Sequence, residues 1–372
     1  AYTNPYGTIS YDSGTGILTW TGNSSDNDAW KFYDFWYWAN IDPGTYPNLV
    51  NSSDATATHE GTQYYFNCKL QCGDGSTETW FKDTAKQITF DSSVITASGQ
   101  IYIRVKNHAT FQLGEIIPYS QLSYKSSWRG CTITFQPDYW CYGIYTDTGG
   151  TTYLYSSDFG ATNEVRIYTH NGRVWHCSTN TGLFGAEFYG NADYYDIVSI
   201  KPRGAGLLNP SGTMDRIYID YPTGFAIRID WGTSATLTNG EFRHAPTDLY
   251  GLQTHANSYF IDCVSTNEPW SIGWYSADPL TSSQYKFYRQ YTSNIKLVEP
   301  DGNPIQGANV ILYDKDGNIV NSTTTDTNGT LGDNWIVTYK TYHMPPDATP
   351  STFTHDTIID TYSPHELVIT KD

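Results

Sequence analysis

Five aspartates, Asp193, Asp196, Asp215, Asp220 and Asp230, fall within one stretch of short β-type runs. Two carboxyl groups held about 5 to 10 Å apart across a glycosidic bond are what sugar hydrolysis requires. Outward side chains on neighbouring stacked strands sit about 4.8 Å apart, so a pair of these acids could meet that condition. Arg216 and Arg228 are the nearby bases, yet neither has an acid cluster beside it with the spacing of calcium ligands.

Other chemistry is harder to find. Asp314-x-Asp316-x-Asn318 begins like a calcium loop, but Ile319 stands where such a loop needs Gly and no Glu follows at the required distance, so a hairpin turn is the reading. The nine His residues are scattered; neither His170 with His176 nor His343 with His355 is spaced as a ligand pair on one strand. Gly204-Ala205-Gly206 is followed by no helix pattern, and no serine elbow occurs. Six cysteines, Cys68, Cys72, Cys131, Cys141, Cys177 and Cys263, lack a zinc or redox pattern. They are read either as up to three disulfides or as isolated core thiols stacked between coils.

The elements that must position these groups are all β. Short runs of β-branched and aromatic residues recur from Ile88 to Val264, among them Ile101–Val105, Ala109–Leu113, Thr132–Phe135, Val165–Tyr168, Asp196–Ile200, Arg216–Ile219 and Ala226–Ile229, divided by Gly, Asn, Asp, Ser or Pro. No amphipathic helix lies between them, which excludes a helix-crossover sheet. The gaps are too uneven for a hairpin-linked sandwich, whereas a solenoid tolerates insertions because each coil touches only its neighbours. Near the start, Gly7–Tyr11, a turn, and Ile17–Trp20 predict a hairpin, and the aromatic segment from Trp30 to Trp38 is expected to cover the first open coil.

Composition narrows the partners. A net charge of −17 with only 21 Lys and Arg argues against nucleic acid, which needs a basic stripe. No apolar run approaches the roughly 18 residues of a membrane helix. An opening Ala1-Tyr2-Thr3 without Met is the expectation for a trimmed secretory chain, and Asn23, Asn51, Asn321 and Asn328 head N-x-[ST] sequons for N-glycosylation. With 32 Tyr and 12 Trp, the chain has rings for interfaces and for sugar contacts, although many are expected simply to ladder from coil to coil.

The stretch Ile88 to Leu113 resembles the coils of right-handed parallel β-helix proteins of the pectate-lyase-like group. The segment from Ile295 to Gly329, with Pro300-Asp301-Gly302 and Asp316-Gly317 as turns, looks like a carboxypeptidase-regulatory-like, transthyretin-like β-sandwich. The first resemblance implies a polysaccharide lyase or hydrolase as the enzymatic alternative. The residue set of polygalacturonase-like enzymes is missing, however; Arg228-Ile229-Asp230 carries an acid where the Arg-Ile-Lys pattern has a base. In a lyase, Arg216 or Arg228 would be the base.

The sequence therefore predicts an all-β chain: residues 1–60 as a hairpin and aromatic cap, 61–291 as a right-handed β-helix, and 292–372 as the small sandwich. A β-helix has open ends that must be covered. The expected function is that of a non-catalytic, secreted, cell-surface or virion-surface structural protein that self-associates into a filament or particle lattice. Adhesive glycan contacts are expected as well, with no catalytic residue, cofactor, metal, nucleic acid or membrane span.

Overall fold

The computed structural model describes residues 2–4, 7–12, 17–22, 49–51, 63–66, 69–83, 87–91, 100–114, 131–137, 140–179, 184–332 and 335–371. The predicted cover at Trp30–Trp38, together with Asn23 and Cys68, lies outside them. The described chain is a parallel β-solenoid with a single short helix, Pro279–Ser282. No helix among these residues is long and apolar enough to cross a membrane.

Each coil contributes to three faces. The first runs through Ile17–Gly22, Lys69–Cys72, Gln100–Val105, Cys141–Thr146, Val165–Thr169, Glu187–Gly190, Ala205–Leu208, Phe225–Asp230, Thr247–Leu252 and Ile272–Ser276, every neighbour parallel. The second includes Ala109–Leu113, Thr151–Tyr155 and Gly172–Trp175. The third includes Gln87–Asp91, Thr132–Gln136 and Asp158–Ala161. The second and third faces belong to one bent sheet, and the strands Asp193–Ile200 and Thr213–Asp220 pass through the bend without a break.

The bend has a backbone cause. Ser156, His176, Asp196, Arg216, Asn239 and Asp262 occupy it with φ of 48 to 57°, and Gly114 sits there at 72°. Such left-handed residues turn a strand sharply, and Asn, Asp and His tolerate the conformation better than most. The turned amides still bond to the next coil, as in Ser156 N to Trp175 O at 2.9 Å and His176 N to Tyr195 O at 3.0 Å. The Asn239 and Asp262 amides bond in the same way, to Ile261 O and Gln290 O.

The core follows from the ladder register. Leu70, Ile103, Ile144, Ile167, Phe188, Leu207, Ile227, Leu249 and Ile272 stand opposite one another in successive first-face strands, and all are buried. One inward position thus forms an apolar column through the body, each member packing on the one above and below.

The cysteines correct one of the two sequence readings. Cys72, Cys131, Cys141, Cys177 and Cys263 are buried free thiols, and the described residues contain no disulfide. For Cys131 and Cys177 the reason is rung geometry. Asp158 N bonds to Cys131 O and Ser178 N to Ser157 O, so the coil carrying Ser157 separates Cys131 from Cys177. Two rungs amount to about 9.6 Å, beyond disulfide reach. Cys177 Sγ instead donates to Leu154 O at 3.3 Å, and burial pushes the Cys177 and Cys263 thiols up to about 12.

Antiparallel strands flank the ladder at both ends. Tyr2–Asn4 and Gly7–Asp12 extend the first face beyond Ile17–Gly22, forming the predicted hairpin, and Leu49–Asn51 flanks Gln63–Phe66. At the other end Trp335–His343 pairs with Phe287–Ser293, Ile358–Thr361 follows it, and Thr352–Thr354 pairs with Ile272–Ser276. A separate three-stranded antiparallel sheet joins Ile319–Thr324, Asn309–Tyr313 and Glu366–Thr370. Val310 and Leu312 pack there with Leu331 and Trp335.

Candidate functional site

The structure distributes the five aspartates around the corners and engages each of them. Asp196 accepts from Trp175 Nε1 at 3.1 Å and from Arg216 Nη2 at 2.9 Å, with His176 Nδ1 at 3.6 Å. Asp215 also contacts Arg216 and accepts from Asn239 at 2.9 Å. Asp196 and Asp215 are therefore brought together, but with a guanidinium between them, which neutralises the pair that hydrolysis would need. Asp193 accepts from Thr213 N at 3.0 Å, Asp220 meets His244 Nδ1 at 2.8 Å, and Asp230 meets Arg228 Nε at 2.8 Å. Both candidate lyase bases are thus bound to carboxylates.

A different acid has the more unusual surroundings. Glu187 opens a first-face strand and is 2 % exposed. Its carboxylate accepts from Arg166 Nε at 3.2 Å and from Ala205 N at 3.2 Å. Burial pushes the Glu187 carboxyl up to about 7, against the pull of Arg166. Arg166 also binds Glu164 at 2.8 Å and lies 5.5 Å from the Trp140 ring. Gly204 makes this possible: its φ is +124°, and a Cβ there would lie 2.1 Å from Glu187 Oε1. An acid with a neutral-range pKa beside a second carboxylate is the described arrangement closest to a catalytic one.

Sequence reasoning missed Glu187 because burial is a property of stacking. Its one signal is the 21-residue step from Arg166, which matches a coil and makes the two residues register partners. Asp248 was missed for the same reason. It is fully buried, accepting from Ser265 Oγ at 2.6 Å, Ser271 N at 2.7 Å and Asn267 Nδ2 at 3.2 Å, and it ties the chain between the last two first-face strands. Burial raises its pKa.

The aromatic residues mostly ladder. Tyr145, Tyr168 and Tyr189 stand on successive coils with ring centroids 4.9 and 4.7 Å apart. Phe225 and Tyr250 stack at 4.3 Å, and Tyr259 and Tyr288 at 5.0 Å. The Tyr168 and Tyr189 rings are tilted by 55° whereas the other three pairs are stacked, and each contact stiffens its column.

Among the described residues no group of three His, Cys, Asp or Glu is placed to hold a metal ion. Asp314 Oδ1 accepts from the Asp316 and Asn318 amides, both at 2.9 Å, as in a side-chain-closed turn. Of the sequon asparagines, Asn328 is exposed and Asn321 half-buried; Asn51 ends a strand. The clefts lie elsewhere, one of them walled by Pro246, Pro269, Trp270, Ser271, Ile272 and His355 at the C-terminal end of the body. Comparison with protein-family models, with curated proteins and with solved structures finds no match to the chain.

Proposed function

We propose that this chain is a non-catalytic extracellular structural protein, a surface, filament or virion-type subunit that acts by contact. The observation that carries the reading is that the outward acids are engaged by neighbouring donors while the outward rings stack on each other. Such a surface is rigid and chemically quiet. The winding is right-handed, as in the pectate-lyase-like β-helices, because crossovers between parallel strands strongly prefer that hand. The sheet holding Val310 and Leu312 is one layer of a transthyretin-like sandwich, with Trp335 beneath it. Because antiparallel strands cover the first-face strands at both ends of the ladder, self-association runs through the sides of the body.

Polysaccharide cleavage is the second reading, and Glu187 is the observation that favours it, with Glu164 across Arg166 as the other carboxylate. Its near-complete burial keeps substrate away and makes this the weaker reading. Negative-stain microscopy of the purified chain tests the first. Side-by-side particles or sheets support it, and a uniformly monomeric field at high concentration overturns it.

A further inference from the structure

Arg173 differs from six other arginines of the body. Arg104, Arg166, Arg216, Arg228, Arg243 and Arg289 each hold a carboxylate within ion-pair distance. Arg173 has none among the described residues. Its register partner on the next coil is Asp193, but that carboxyl turns to Thr213 N. What surrounds Arg173 is aromatic: the guanidinium lies 5.7 Å from the Trp175 ring centroid and 5.6 Å from that of Tyr195, with Tyr153 opposite it on the preceding coil. In a chain of net charge −17 with 38 acids, a half-buried cation left to rings alone calls for a ligand.

The chemistry selects one. A guanidinium beside rings is weakly hydrated and keeps N–H edges open to a planar carboxylate, which it binds in a fork. A phosphate dianion would want several converging donors or a nest of backbone amides, and the strand amides here belong to the ladder. The flat, amphipathic rings suit the C–H face of a sugar. We propose that Arg173, framed by Tyr153, Trp175 and Tyr195 on the second face, binds the carboxylate of an acidic sugar, a uronate or a sialic-acid type, within a glycan. This names the sugar class for the adhesive contacts of the proposed function and rests on that reading.

Calorimetric titration of the full chain with tetragalacturonate and with sialyllactose tests it, the two arms separating uronate from sialic acid. The expected result is binding of at least one, weakened at least tenfold by methyl esterification of the uronate or by Arg173→Gln, and unchanged by Arg243→Gln. Arg173→Lys keeps the charge without the fork and is expected to bind several-fold more weakly than wild type, which covers the case in which the Gln variant misfolds. Binding of neither probe, equal binding of the esterified form, or unchanged binding by Arg173→Gln overturns the site. Laterally assembled particles without acidic-sugar binding would remove the site alone, whereas probes cut into shorter products would remove the non-catalytic reading itself.

Discussion

Burial holds the Glu187 carboxyl near 7 in the folded chain, against an ordinary value of 4.5. Between those two values the folded state binds the extra proton, so the stability due to this group is greatest below about pH 4.5 and falls as pH rises toward 7. The difference corresponds to about 3 kcal/mol. Glu187→Gln is expected to flatten that part of the stability profile, as read by urea denaturation at a series of pH values. Gly204→Ala is expected to cost about 2 kcal/mol or more in the same assay, since its Cβ would meet Glu187 Oε1 at a φ that only glycine takes easily. The buried thiols of the folded chain should resist a thiol reagent and react only on unfolding. The sequence drew attention to Asp193, Asp196, Asp215, Asp220 and Asp230 by residue type, and Asp196 and Asp215 do come together. What it could not supply was Arg216 between them, because side-chain pairing across coils depends on the register of the whole ladder.

At the scale of the element, the strand runs read from the sequence coincide with observed strands at Gln100–Val105, Ala109–Leu113, Thr132–Gln136 and Val165–Thr169. Alternation of inward and outward residues was the signal, and it is strong wherever one face is buried. The second-face halves of Asp193–Ile200 and Thr213–Asp220 were passed over. Each is only about three residues long and ends at a left-handed residue, Asp196 or Arg216, which reads as a run's beginning rather than as a corner within it. Packing in the core column makes Ile167→Ala cost about 2 to 5 kcal/mol, by cavity formation between Ile144 and Phe188. Asp248→Ala is expected to cost about 2 to 4 kcal/mol, because the Ser265, Asn267 and Ser271 donors would lose their shared acceptor in a buried place. Urea melts measure both.

At the scale of the molecule, the long and uneven gaps between runs distinguished a solenoid from a sandwich, and the parallel ladders agree with that choice. The C-terminal region was only partly legible. Its local turns were visible, but Trp335–His343 joins the large sheet of the body, a pairing that no local pattern announces. That strand covers Phe287–Ser293, so a chain cut before Trp335 exposes a long edge and is expected to aggregate on size-exclusion chromatography where the full chain does not. As proposed above, this body binds without cutting. The most direct measurement is incubation with a panel of neutral and acidic polysaccharides, assayed for new reducing ends and for ultraviolet-absorbing unsaturated sugars. The account predicts bound but intact polymer at every pH tried; products that appear with the intact chain and vanish with Glu187→Gln would contradict it.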